Sequence, residues 1–154
     1  FRLPDAAEAS GWLQAQGLER SDLALAHAGG APLAARTLDA EFWSRRERLV
    51  NHVLASPDFD PVQASERMSA EELAFLVGGM QRWCHDLLLA MSVRTVRYNP
   101  DRAQILHQLA ARSDPRRLLG FLRELQSIAR FLEHPLNPRL VAERCMIGYK
   151  RTLT

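Results

Sequence analysis

The chain has 154 residues, of which 47% are hydrophobic and 25% are charged. This is the composition of an ordinary globular protein, and it excludes intrinsic disorder because the apolar content is too high for the charge. No apolar run approaches the roughly 18 residues that a membrane-spanning helix requires. Arg2 and Asp5 interrupt any apolar start, so a signal peptide is not expected either.

The two cysteines, Cys84 and Cys145, are too few for the disulfide framework of a secreted protein. Both lie in apolar helical patterns, so we expect buried thiols in a reduced cytoplasm. The formal net charge is only +2, but residues 1–93 carry a net charge of −5 and residues 94–154 carry +7. An acidic front and a basic back suggest an assembly of opposite faces or contact with nucleic acid, whereas the plainer alternative is a solvated arginine surface.

The predicted fold is all-α, because no segment shows sustained alternation of β-branched and polar residues. Three short helices are predicted first, from Pro4-Asp5 to residue 16, from Ser21 to residue 28, and from Pro32 to residue 38. Ser21 is the expected N-cap of the second helix, and Pro32 occupies the first turn of the third. Short turns join these helices into a small bundle of about 40 residues.

About five longer helices follow, with a further short one after Pro61. They are predicted over residues 41–55, from Ser69 to about residue 91, after Asn99-Pro100, over residues 115–133, and after Asn137-Pro138. Asparagine, aspartate or serine before proline is typical of a helix start.

The strongest of these helices begins with a capping box, Ser69 and Glu72. Apolar residues recur at helical spacing over about five turns. Gly78-Gly79 inside it costs about 1 kcal/mol per glycine relative to alanine, which predicts that a neighbouring helix crosses closely there.

The sequence offers little catalytic chemistry. The only lysine is Lys150, inside a predicted helix, so a phosphate-binding P-loop is absent. Cys84 and His85 are adjacent and point about 100° apart on a helix, which is unsuitable for a zinc site. We therefore predict no catalytic, cofactor-binding or metal-binding residues.

Two segments resemble parts of clamp-loader subunits. Residues 28–35, AGGAPLAA, resemble the lid of clamp-loader ATPases of the AAA+ class at the start of the third lid helix. The small bundle that ends near Leu38 has the size of such a lid. Residues 136–143, LNPRLVAE, resemble the last collar helix of bacterial clamp-loader subunits. With the order of helices, the resemblance covers nearly the whole chain and is greatest to the delta prime subunits of bacterial DNA polymerase III.

The resemblance implies a lid-like three-helix domain over residues 1–39 and a collar, or oligomerisation, domain over residues 40–154. It implies a non-catalytic role without cofactors, in a complex that loads the sliding clamp onto primed DNA for a DNA-directed DNA polymerase. The implied partners are the gamma/tau and delta subunits, with DNA contacted indirectly through the whole complex and no membrane contact. Because the chain begins with Phe1, we expect an AAA+ core domain before it.

The lid motif comprises Gly29, Gly30, Pro32, Leu33 and Ala34. ATP-hydrolysing clamp-loader subunits carry an arginine at the start of the third lid helix, where this chain has Leu33 and Ala34. Neither side chain offers a charge to a phosphate, so the resemblance favours delta prime over gamma/tau. A gamma/tau collar, an unrelated all-α adapter and a small helical DNA-binding protein remain as alternatives.

The helix over residues 115–133 is apolar nearly all round, which a helix tolerates only when it is covered on several sides. We predict that neighbouring subunits cover it, leaving some of Phe121, Ile128 and Phe131 partly exposed in the isolated chain. Arg139 and Arg144 would flank this surface and pair with acidic groups of a neighbour. The alternative is that another helix of the same chain covers it.

Overall fold

A computed structural model describes residues 5–153, and all regular structure within them is helical, which confirms the all-α fold class. The described helices are α1 (Ala6–Ala15), α2 (Ser21–His27), α3 (Pro32–Ala35), α4 (Ala40–Leu49), α5 (Pro61–Ser65), α6 (Ala70–Ser92), α7 (Ala103–Ala110), α8 (Pro115–Ala129) and α9 (Pro138–Lys150). A π-helical turn, Val50–Leu54, continues α4, and a 3₁₀ turn, Pro100–Arg102, precedes α7.

Local capping sets the start of most helices. Ser69 and Glu72 form the predicted capping box of α6, with both hydrogen bonds at 3.1 Å. Asp5 and Glu8 form a second box at α1, whereas Pro4 lies outside the described residues. Asp114 and Asn137 cap α8 and α9, and in both helices proline is the first residue.

Two residues predicted as caps, Ser21 and Asn99, make no capping hydrogen bond, because tertiary contacts use their side chains, although Asn99 does stand at the N-cap position of the 3₁₀ turn. Ser21 lies inside the first turn of α2, and its buried hydroxyl is hydrogen-bonded to that of Ser10 at 2.9 Å. Asn99 makes no capping bond, since its amide donates to Asp86 and its carbonyl accepts from Arg46. Short polar side chains thus compete between local and distant partners.

Two helices end earlier than predicted: the third ends at Ala35, and α8 ends at Ala129 rather than at residue 133. The fourth remains helical to Leu54, within one residue of its predicted end, and its last five residues form the π-helical turn. At the end of α8 the amides of Arg130 and Phe131 bond to carbonyls three residues back, which tightens the chain into a turn.

The described residues form two buried apolar clusters. The smaller belongs to the first three helices and consists of Ala9, Leu13, Ala24, Leu25 and Ala35, with the partly buried Trp43 of α4 packed against it. The larger is centred on α6, which packs against α4, α7, α8 and α9. The first three helices therefore share a core of their own, and α4 contributes to both clusters.

Two glycines let helices of the larger cluster approach closely. A Cβ at Gly79 would lie 2.5 Å from Leu49 Cδ2, which confirms that a neighbouring helix, α4, crosses α6 there. Gly78 instead faces the Arg82 side chain of its own helix. On α9, a Cβ at Gly148 would lie 2.8 Å from the Phe121 ring, so α8 and α9 meet through this glycine.

Candidate functional site

Exposed apolar side chains concentrate near the connection between α8 and α9. Three of the eight large hydrophobic residues exposed within residues 5–153 lie in this connection or in the first turn of α9: Phe131, Leu136 and Leu140. Phe131 is 52% exposed and Leu140 is 60% exposed. We call Phe131, Leu136 and Leu140 the α8–α9 corner. Clustered exposed apolar residues are typical of interaction surfaces.

Some of the residues predicted to form an interface are exposed in the structure and others are buried. Phe131 is at the corner, Ile128 is partly buried, and Arg139 is exposed beside Leu140. Phe121 is only 5% exposed, so its assignment to a surface patch is wrong. Gly148 of α9 leaves room for its ring, and the same chain covers that side of α8.

Arg144, the second predicted flanking arginine, is already paired within the chain. Its Nη2 atom lies 2.7 Å from a carboxylate oxygen of Glu124 on α8, in an exposed ion pair. An acidic group of a partner would have to compete with Glu124, and an exposed pair of this kind stabilises a protein by at most about 1 kcal/mol. The interface itself stays a prediction.

Two glycines of the segment that resembles a lid, Gly29 and Gly30, adopt a left-handed backbone conformation. Gly29 and Gly30 have φ angles of 67° and 89°, in the left-handed region that favours glycine. They reverse the chain between α2 and Pro32, the first residue of α3. Leu33 is 72% exposed and Ala34 is also exposed, so α3 presents a small uncharged surface.

A buried carboxylate holds the segment before α7 onto α6. Asp86 is fully buried and accepts hydrogen bonds from the backbone amides of Arg97, Tyr98 and Asn99 at 2.7–3.1 Å. It also accepts from the Asn99 side chain at 2.9 Å. These bonds fix the loop that carries Tyr98.

Arg46 of α4 extends this network. Its buried guanidinium binds Asp101 through two hydrogen bonds of 2.7 and 2.9 Å and donates to Asn99 at 2.9 Å. Although burial opposes it, this guanidinium lowers the pKa of Asp101. A bidentate pair of this kind is strong and geometrically specific, so α4, α6 and the start of α7 are tied together.

His27 joins the first three helices to this network. Its Nδ1 atom donates to the Tyr98 carbonyl at 3.2 Å, and its ring makes edge contacts with Phe42 and Trp43. Burial, with the charges of Arg82 and Arg46, lowers its pKa to about 4. His27 is therefore neutral at pH 7 and acts as a packed hydrogen-bond donor.

Neither thiol is poised for chemistry. Burial raises the pKa of the Cys84 thiol well above its usual range, and burial raises that of Cys145 to about 11. Both are protonated at neutral pH and are poor nucleophiles. Within residues 5–153 no three histidine, cysteine, aspartate or glutamate side chains converge to hold a metal ion. Every helix in this part of the chain falls short of the length and hydropathy needed to cross a membrane.

No motif in the sequence indicates the network around His27, Arg46, Asp86 and Asn99, which we call the polar junction. His27, Arg46, Asp86 and Asn99 come from four different parts of the chain, and none belongs to a motif. Only the unusual aspartate in the apolar stripe of α6 hinted at a buried partner. A comparison of the chain with protein-family models and with curated proteins found no match.

Proposed function

We propose that the chain is the lid and collar region of a clamp-loader subunit of the delta prime type. In this proposal it is a non-catalytic element that packs beside the gamma/tau and delta subunits of DNA polymerase III. Its role is to help assemble the ring that loads the sliding clamp onto primed DNA.

The α8–α9 corner is the observation that carries the proposal. Leu136 and Leu140 of this corner lie within the segment 136–143, whose sequence resembles the last collar helix. Phe131 and Leu140 leave much of their apolar surface in water in the isolated chain. Because each is only about half exposed, covering one of them stabilises a complex by about 1–1.5 kcal/mol, roughly half of the value for a fully exposed side chain, so the two together could anchor a neighbouring subunit.

The first three helices support the delta prime assignment over gamma/tau. Their separate apolar core agrees with a lid, and Gly29-Gly30 turn the chain directly into α3. Leu33 and Ala34 at the start of α3 offer no charge to a nucleotide phosphate. This part of the proposal assigns the chain a structural role in the ring rather than a motor role.

The test is a binding titration of the chain with gamma/tau and delta, comparing wild type with Phe131→Asp and Leu140→Asp. Each substitution places a charge at the corner, and we expect each to weaken assembly about tenfold or more, equivalent to about 1.4 kcal/mol. Val62→Asp is the matched control, because Val62 is an exposed apolar residue in the first turn of α5. Equal affinities for wild type and both corner variants, with unchanged circular dichroism, would place the interface elsewhere.

A further inference from the structure

A polar cleft lies where the end of α2, the middle of α6, α8 and the Arg97–Tyr98 loop meet. Its volume is about 590 Å³, within the usual range for sites of small ligands. Gln81, Arg82 and His85 line it from α6, Gln126 lines it from α8, and Arg97 lines it from the loop. Donor groups thus face one space from three different elements.

The cleft is cationic and has no internal counterion. Arg82 and Arg97 both line it, and none of the described residues in its wall is an aspartate or a glutamate. Arg97 is exposed, and its Nη2 atom makes one long hydrogen bond, 3.4 Å, to the Gly29 carbonyl. Two guanidinium groups without a carboxylate make a local positive potential that attracts anions.

Arg82 has few partners within the protein. It is partly buried, and within residues 5–153 it forms no ion pair; its one hydrogen bond goes to the Gly78 carbonyl, at 3.1 Å. A guanidinium has five N–H donors, so most of them have no protein acceptor in this part of the chain. Burial lowers the pKa of Arg82, because desolvation disfavours the charged form. An anion in the cleft would offset that cost.

His85 provides a second, independent observation. Its Nδ1 atom is buried and has no hydrogen-bond partner in the structure. Its ring makes an edge contact with Tyr98, with the ring centroids 5.3 Å apart, so its position is fixed beside the cleft. Unpaired buried polar atoms are rare in native proteins, and His85 carries the one such atom among the described residues that line the cleft.

We propose that this cleft binds a phosphate group. A carboxylate presents two oxygens in one plane, whereas a phosphate presents several oxygens in a tetrahedron that matches donors arriving from α6, α8 and the loop. The phosphate could belong to a nucleic-acid backbone or to a free phosphate compound, and both would use the same donors. This site goes beyond the proposed function, which assigns the chain no ligand.

The experiment titrates the chain with two probes, inorganic pyrophosphate by calorimetry and a labelled oligothymidylate of about ten nucleotides by fluorescence anisotropy. Arg82→Gln removes the buried charge, and we expect it to weaken binding of the phosphate probe at least about tenfold. Gln126→Glu places a negative charge in the cleft from an exposed position on α8, so it tests the site even if Arg82→Gln fails to fold. Arg36→Gln is the control, because Arg36 is exposed and does not line the cleft.

Binding of pyrophosphate alone, weakened by both cleft variants but not by the control, would support a free phosphate compound as the ligand. Binding of the oligonucleotide, with the same pattern among the variants, would support a nucleic-acid phosphate. The proposal is overturned if neither probe binds at about 1 mM, or if every folded cleft variant binds like wild type. Tighter binding of an oligoglutamate peptide than of both phosphate probes would also overturn it. None of these outcomes depends on assembly with gamma/tau or delta, so this proposal and the proposed function can fail separately.

Discussion

Replacing Asp86 with alanine should be among the most damaging substitutions in the chain, because within residues 5–153 this carboxylate is the only acceptor for four N–H groups. Three are the backbone amides of Arg97, Tyr98 and Asn99, and the fourth is the Asn99 side-chain amide. The two donors of Asn99 are buried, whereas those of Arg97 and Tyr98 are partly buried and can recover water. Each buried donor left unsatisfied costs about 1–3 kcal/mol.

Counting the two buried donors fully and the others in part, Asp86→Ala should lower the free energy of unfolding by about 4 kcal/mol. That is a large share of the roughly 5–15 kcal/mol that stabilises a typical domain. Asp86→Asn keeps one acceptor oxygen and the same size, so its loss should be smaller. The assay is chemical denaturation followed by circular dichroism, with Asp58→Ala, in an exposed loop, as control.

The expected order of stability is Asp58→Ala near wild type, then Asp86→Asn, then Asp86→Ala. The loop holding Tyr98 should also lose protection from hydrogen exchange in Asp86→Ala, because its amides have no other acceptor in the part of the chain that the structure describes. If Asp86→Ala unfolds within about 1 kcal/mol of wild type, the buried carboxylate does not hold the junction and the reasoning is wrong.

Two further predictions concern packing and pH. Gly148→Ala should lower the free energy of unfolding by about 1–3 kcal/mol, because its Cβ would lie 2.8 Å from the Phe121 ring. Gly120→Ala, in the same pair of helices but with no atom within 4 Å of the added Cβ, should instead stabilise the protein by about 0.5–1 kcal/mol in the same denaturation assay. Because the pKa of His27 is lowered from 6.5 to about 4, the unfolded chain binds a proton that the native chain does not as the pH falls through this window. This residue should therefore lower the free energy of unfolding by about 3 kcal/mol between pH 6.5 and 4. In His27→Gln that part of the decline should be missing when the free energy is measured by urea titration at each pH. An identical decline in both proteins would contradict the prediction.

Local signals in the sequence predicted where the helices lie better than they predicted which residues the helices contact. Asp5, Ser69, Asp114 and Asn137 cap helices as expected, because a cap bonds to amides only two or three residues away. Asn99 carried the same signal, but a partner thirteen residues back, on another helix, uses its side chain. Capping patterns therefore predict helix starts until a buried partner competes for the side chain.

The predicted interface residues show what helical periodicity cannot predict. An all-round apolar helix predicts that several sides are covered but not what covers them. Phe121 packs inside the chain against Gly148 and Tyr149 of α9, and nothing near residue 121 in the sequence reveals these contacts. Phe131 follows the end of α8 and remains exposed. The cleft around Arg82 was equally hidden, because its donors come from α6, α8 and the loop at residues 97–98.

Native mass spectrometry of a mixture with purified gamma/tau and delta tests the proposal that this chain assembles with clamp-loader subunits. We expect a defined complex that contains one copy of this chain together with both partners. We also expect that the complex is depleted when Phe131→Asp replaces wild type and persists with Val62→Asp. A wild-type chain that remains alone in the presence of both partners, at concentrations where gamma/tau and delta assemble with a delta prime subunit known to bind them, would contradict the proposal.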